Sequence, residues 1–279
     1  MTHKMNKLKY GTLALLFCWA CTNAPKDDTP WTNLSDGTFN GWTQKGGEAN
    51  YQVDGDMIVG STVHDTPNSF LTTDKMYDNF ILELDYKVDS TMNSGIQIRS
   101  NSFPHYQNGK VHGYQIEIDP SDRAWSAGIY DEGRRGWLAT LDDNPEAQKA
   151  FKQNDWNHYR IEAIGDTLKT WINGVPAAHL IDGKTASGFI ALQVHSIGED
   201  QKAGTEIAWR NVKILTDSLS KYSKEMSLAP VVTKNQLTID EEKNGWELLW
   251  DGATTDGWRG ARLDDFPDKG WEIKDGVLT

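Results

Sequence analysis

Residues 113–119 read GYQIEID, and the alternation within them separates two faces. In a strand, residues two apart share a face. Gln115, Glu117 and Asp119 therefore point one way, and Tyr114, Ile116 and Ile118 the other. Two further stretches repeat the pattern: Gln97 and Arg99 alternate with Ile96 and Ile98, and Gln193 and His195 with Ile190, Leu192 and Val194. Solvated sheet faces ordinarily carry Lys, Glu, Thr and Ser, as Glu83, Asp85 and Lys87 do here. These three strands carry amides, carboxylates, a guanidinium and an imidazole instead. Trp125, Tyr130 and Trp137 border them, and Arg134 and Arg135 sit between in the glycine-bounded stretch YDEGRRGW. Aromatic rings beside planar polar groups suit a sugar, whose apolar ring face stacks and whose hydroxyls take hydrogen bonds. Gln97, Gln115, Trp125, Tyr130, Arg134, Arg135, Trp137 and Gln193 are the expected binding residues, with Glu117, Asp119, Arg99 and His195 as the reactive ones.

Carboxylate spacing does not settle the chemistry. Positions i and i+2 of a strand lie ~6.6 Å apart at Cα, which lets Glu117 and Asp119 reach either the ~5–5.5 Å of retaining or the ~6.5–9.5 Å of inverting glycosidases. Both lie on one strand, whereas such a pair flanks the bond it cleaves. Glu117, Asp119 and His195 together also suit a divalent cation, although no ligand-spacing motif such as HExxH accompanies them. No other cofactor is indicated: P-loop and dinucleotide fingerprints are missing, as is GxSxG. His64, His105, His112, His158 and His179 have no partner pattern and read as surface or core residues.

The positioning elements are strands. From Trp31 to about Thr216 short alternating segments follow one another, FILELDYKV at 80–88 being the clearest, and Asn173–Gly174 marks a tight hairpin. About a dozen strands with almost no helical periodicity predict an all-β sandwich of two antiparallel sheets. Residues 217–245 read as a linker, with a short helix capped by Thr238 and Glu241 and stopped at Gly245. The tail then resembles the start of the domain: NLSDGTFNGW at 33–42 matches LLWDGATTDGW at 248–258, and YQVDGDMIVG at 51–60 matches WEIKDGVLT at 271–279. Residues 246–279 are thus expected to be the opening of a second copy, too short to enclose a core, either poorly anchored or docked on the first domain.

The first twenty residues carry an export signal, with Lys4, Lys7 and Lys9 before an apolar run at 13–17 and small Ala20 before Cys21. This resembles a lipoprotein box, with Cys18 in place of the usual Leu, and makes Cys21 the lipidation site. Residues 21–30 read as a tether whose Asp27–Asp28 pair resembles the surface-export signal of Bacteroidota lipoproteins. The location expected is the cell envelope, at the outer membrane, with the lipid as the one contact to the bilayer. Cys18 and Cys21 are the two cysteines of the chain, so the domain is held without disulfides. The formal charge is −12; setting aside the three leader lysines from 28 basic residues leaves 25 against 40 acidic ones. Such a surface repels nucleic acid.

The ordered set NSGIQIRS, GYQIEIDPSDRAWSAGIYDEGRRGW, NDWNHYRIEAIGDTLKTWINGVPAAHL, SGFIALQVHS and EIAWRNVKIL resembles the 3-keto-disaccharide hydrolase family over about 31–216. The resemblance begins again at 246, so that a further copy of the domain is expected C-terminally. It implies a concanavalin-like jelly roll with its site on the concave sheet, and action on glycosides oxidised to a ketone at C3. Distantly similar laminarinase-type glucanases use an E-x-D-x-(x)-E strand. Here that strand reads Gln115, Glu117, Asp119 and Pro120, so their double displacement does not carry over. A C3 ketone acidifies the C2 proton. Its removal, loss of the anomeric substituent and addition of water need a base, a stabiliser for the enolate oxygen and a proton donor. On this reading His195 or Glu117 is the base, Arg99 or a cation on Glu117 and Asp119 meets the enolate, and Gln115 and Arg135 orient hydroxyls. The other readings are a non-catalytic carbohydrate-binding module, using the same groove, and an envelope scaffold.

Overall fold

The computed structural model describes residue 1 and residues 30–233, 235–237, 241, 243–252, 254–274 and 276–279. The export signal, Cys21 and Thr238 of the expected linker helix lie outside the described residues. The chain divides into two units between Pro30 and Trp31, and the second is described here.

Alternation in the sequence becomes alternation in burial. Phe80, Leu82, Leu84, Tyr86 and Val88 are buried and Lys87 is exposed along the strand Phe80–Val88. That strand sits in the middle of a back sheet running Val231–Val232, Val175–Ile181, Thr167–Ile172, Asn157–Ile164, Phe80–Val88, Glu206–Leu215, Met57–Ser61 and Asn50–Asp54, with Thr32–Asn33 also paired to Glu206–Leu215. A front sheet runs Gly136–Ala139, Ile129–Glu132, His112–Ile118, Ser94–Asn101, Phe189–Val194, Ser69–Thr73 and Trp42–Gly46. The molecule is a jelly-roll β-sandwich. Ile96, Ile98, Ile116, Ile118, Ile190 and Leu192 of the front sheet and Leu82, Leu84, Tyr159, Ile161 and Trp209 of the back sheet belong to one buried cluster. Each such side chain contributes about 1.5–3 kcal/mol by leaving water.

The hairpin at Asn173–Gly174 has φ of 50° and 83° at its two residues, the geometry that Asn-Gly supplies cheaply. A helix at Pro145–Ala150 interrupts the strands, although helical periodicity is too short there to register. Its signals are local ones: Asn144 accepts from Ala147 N at 3.2 Å and Pro145 opens the first turn. In the linker, a helical turn at Leu219–Tyr222 leads onto the outer face of the back sheet. There Ser223 Oγ and Lys224 N donate to Glu162, at 2.7 and 2.9 Å. Val231–Val232 then joins the edge of the sheet, parallel to Val175–Ile181. Among the described residues no helix is long and apolar enough to cross a membrane.

Candidate functional site

Directly paired residues of antiparallel strands share a face. In the front sheet Gln97 pairs with Gln115 and with Ala191, Gln115 with Tyr130, Tyr130 with Trp137, and Glu117 with Gly95. Gln193, two residues after Ala191, falls on the same side. The core takes the intervening residues, so Gln97, Gln115, Glu117, Gln193, Tyr130 and Trp137 occupy the outer face of one sheet.

Their side chains form a directed series of hydrogen bonds. Ser100 Oγ donates to Gln97 Oε1 at 2.6 Å, and Gln97 Nε2 to Gln115 Oε1 at 2.5 Å. Gln115 Nε2 then donates to Glu117 Oε2 at 2.8 Å, and Asn93 Nδ2 reaches Glu117 Oε1 at 2.7 Å from the other side. Every donor in the series points toward the carboxylate. Gly95 makes room for it: a Cβ there would lie 2.5 Å from the Gln115 side chain. Burial pushes the Glu117 carboxyl above its usual range, while the Asn93 and Gln115 amides pull the other way. Gln193 is buried, and neither atom of its amide has a hydrogen-bond partner among the described residues.

Asp119 begins the turn after this strand. Its Oδ1 accepts from Ser121 N at 3.1 Å and Ser121 Oγ at 2.6 Å, and its Oδ2 from Arg123 Nε at 2.8 Å. Arg123 also stands 3.6 Å from Glu117 Oε1. Its guanidinium lies 4.8 Å from the centre of the Trp125 ring and 4.9 Å from that of Trp137. Trp125 and Trp137 meet edge to face at 4.6 Å, and Tyr130 meets Trp137 at 5.2 Å. His195 follows the strand Phe189–Val194. Its Nδ1 is 2.7 Å from the Ser196 carbonyl oxygen, so Nδ1 carries the hydrogen and Nε2 of the neutral ring keeps a lone pair. A cavity of about 230 Å³ is lined by His195, Asn93, Asp119, Pro120 and Ser121.

Three expected residues lie elsewhere. The register of Ser94–Asn101 slips between Ile98 and Asn101, and Arg99 there has φ of 46°. This bulge turns Arg99 off the polar face. The side chain is buried and donates to the Asp78 carbonyl at 2.6 Å, to the Gly165 carbonyl at 2.7 Å and to Asn79 Oδ1 at 3.3 Å, which joins the front sheet to loops of the back sheet. Arg134 and Arg135 turn to Asp131, the register partner of Tyr114 on the core side of the sheet. Arg135 Nη1 also meets Asp182 at 2.8 Å and reaches Gln236, while Arg134 Nη1 donates to Thr185 Oγ1 at 2.8 Å. Hydrogen bonds from Arg135, Thr233 and Tyr114 hold Asp182 at about 2 against the desolvation of burial.

The proposed cation site takes a different form as well. Among the described residues no three of His, Cys, Asp and Glu gather closely enough to hold a metal ion. Asp119 is already neutralised by Arg123, and both oxygens of Glu117 accept from amides.

Sequence reasoning missed Asn93, Ser100, Arg123, Asp131 and Asp182. Arg123 had a signal in the stretch DPSDR, where an Asp-x-Ser turn places a basic residue back over its own carboxylate. Asp182 is distant from its partners in the chain and had none.

Residues 30–215 match the model of the 3-keto-alpha-glucoside-1,2-lyase-like domain. The chain belongs to this family. Membership in the 3-keto-alpha-glucoside-1,2-lyase-like family places it among carbohydrate-active proteins, of glycoside-cleaving or carbohydrate-binding kind. Among solved structures it is similar to a candidate glycosyl hydrolase of Parabacteroides distasonis, with TM-score 0.47 and 18% identity over 67% of this chain and 93% of that one. A carbohydrate-binding module of Bacillus subtilis gives TM-score 0.47 and 18% identity over 63% and 95% of the two chains. A β-1,3-1,4-glucanase from a mouse hindgut metagenome gives 0.44 and 12% over 66% and 96%. No curated protein sequence matches the chain.

Proposed function

We propose that this protein cleaves glycosides whose sugar carries a ketone at C3, by proton abstraction from C2, elimination and hydration. The observation that supports it most is the directed set of donors converging on one buried carboxyl, Glu117, whose affinity for a proton is raised. A carboxyl that holds its proton more tightly than usual suits general acid work. His195 Nε2 holds the lone pair that would take the C2 proton. The electron pair left at C2 moves into the enolate of the C3 ketone. As the enolate collapses, the C1–O bond breaks and the leaving oxygen takes the Glu117 proton. Water then adds across the C1–C2 double bond, its oxygen to C1 and a proton to C2. Arg123 is the donor on this face for the enolate oxygen and the hydroxyls, in place of Arg99, Arg134 and Arg135. Trp125, Tyr130 and Trp137 form the stacking wall. An acyl chain on Cys21 would hold the domain at the outer membrane.

A second reading is a lectin-like module using the same face. It is favoured by the saturation of Glu117 and Asp119: each carboxylate oxygen already accepts a protein hydrogen bond. One disaccharide offered with and without the 3-keto group separates the two. Cleavage of the keto form, abolished in Glu117→Gln and His195→Ala, supports the enzyme. Binding without product in the parent protein supports the module. Cleavage of the unoxidised disaccharide would overturn the elimination mechanism.

A further inference from the structure

The start of the sandwich and the tail contain similar corners, with one more residue between Asp251 and Trp258 than between Asp36 and Trp42. In the first, Asp36 Oδ1 accepts from Thr38 N at 3.0 Å and Thr38 Oγ1 at 2.7 Å, and Trp42 Nε1 donates to the Leu34 carbonyl at 2.8 Å. In the second, Asp251 accepts from Thr254 N at 2.7 Å and Thr254 Oγ1 at 2.8 Å, and Trp258 Nε1 donates to the Leu249 carbonyl at 2.7 Å. The two backbones turn alike. Gly37 and Gly41 have φ of 80° and 81°, and Gly252 and Gly257 have 80° and 79°. Trp42 N bonds to Phe39 O, and Trp258 N to Thr255 O, each at 3.0 Å. A hairpin follows in both, Asn50–Asp54 with Met57–Ser61 and Ile273–Lys274 with Val277–Leu278.

What covers the corners differs. Across the first lies the strand Glu206–Leu215. Leu34 N donates to the Val212 carbonyl at 2.7 Å, Val212 N to Ser35 Oγ at 3.1 Å, and Thr32 pairs with Ile214. The same strand pairs with Met57–Ser61, from Ser61 opposite Glu206 to Ile58 opposite Trp209. Under that cover Trp42 is 8% exposed and Ile58 2%. In the tail, Val277–Leu278 pairs with Ile273–Lys274 in a sheet of two strands. Leu249 is 77% exposed, Trp271 56% and Trp258 42%. Among the described residues the strand Val277–Leu278 has a strand partner on one side alone, Asn235 Nδ2 donates to the Gly276 carbonyl at 2.8 Å, and Leu249, Trp258 and Trp271 are exposed.

We infer that residues 246–279 are a docking corner for the closing strand of a second sandwich of this family. The occupant is an antiparallel strand like Glu206–Leu215, with apolar side chains at the places of Ile207, Trp209, Val212 and Ile214. Its backbone pairs with the tail hairpin, and its apolar face covers Leu249, Trp258 and Trp271.

Two arms of one hydrogen-exchange experiment test this. In the first, residues 60–216 of this chain are appended after Thr279, which stands at the place of Val59. In the second, a synthetic peptide of residues 205–216 is added to the full chain. Exchange of amides at 249–258 and 272–279 is expected to slow at least tenfold in the extended chain. The Leu249→Asp variant should abolish that protection while leaving exchange at 31–216 as before. Slowing by the peptide supports the same occupant where the extension fails to fold. Unchanged exchange in both arms overturns the proposal. So does protection of the unextended chain that grows with its own concentration, since the occupant would then be a second copy of the corner.

Discussion

Gln115 Nε2 donates to Glu117 Oε2 at 2.8 Å, as the last link of a series that begins at Ser100. A bond of this kind favours the ionised carboxylate, so it opposes the burial that raises the Glu117 pKa. Gln115→Leu is therefore expected to raise that pKa further. If Glu117 is the proton donor, the rate falls as pH rises through its pKa, and the variant moves this alkaline limb to higher pH. A base at Glu117 would instead give an acidic limb, moving the same way. The pH profile of kcat/KM on a 3-keto-glucoside distinguishes the two. Loss of one charge-assisted bond is expected to cost about tenfold in rate, or ~1.4 kcal/mol.

The strand pattern was legible because period-2 alternation is a local property, and one face of each strand enters a common core. The polar faces around Gln97, Gln115 and Gln193 were legible for the same reason. Arg99 was not, because a bulge reverses the alternation at a single residue and no neighbouring side chain announces it. Arg134 and Arg135 lie beside the aromatic residues in sequence. Their destinations are decided by Asp131 and by distant Asp182, which periodicity does not reveal.

Arg99 is expected to matter for folding and not for sugar recognition. Its buried guanidinium donates to acceptors of Asp78, Asn79 and Gly165, in loops that reach the surface. Arg99→Met removes all of these donors, and with them the tie between the front sheet and the two loops. The expected destabilisation is about 2 kcal/mol, judged by urea unfolding. At low temperature the folded fraction of the variant should bind saccharide as the parent does. A binding defect with stability unchanged would return Arg99 to the site.

Asp182 links the hairpin that carries Tyr130 and Trp137 to the linker, through Arg135 on one side and Thr233 on the other. Its pKa of about 2 lies below the ordinary carboxylate value near 3.9. A depressed carboxyl contributes stability that is fully present above the unfolded pKa and lost as pH falls through the folded one. Thermal stability of the parent is therefore expected to decline between about pH 4 and pH 2. The Asp182→Asn variant should be less stable by about 2 kcal/mol at neutral pH and show a flatter profile in that window. Calorimetry across pH 2–7 checks both.

Arg123 sits where two functions meet: it neutralises Asp119 at 2.8 Å and packs against Trp125 and Trp137. A guanidinium does both because it is planar and forked. Lysine can replace the charge but neither the flat stacking area nor the fixed fork of donors. Arg123→Lys should therefore preserve folding and weaken saccharide binding about tenfold, which titration calorimetry measures. Arg123→Ala removes the cation as well, leaving Asp119 with its Ser121 donors and Glu117 with one positive charge fewer nearby. In that variant binding is expected to fall further, and the Glu117 titration to move up, since the lost charge favoured the ionised form. If Arg123→Ala and Arg123→Lys bind alike, the stacked guanidinium plane is what the sugar meets. If Arg123→Lys binds as the parent does, charge alone carries the interaction and the aromatic wall acts without it.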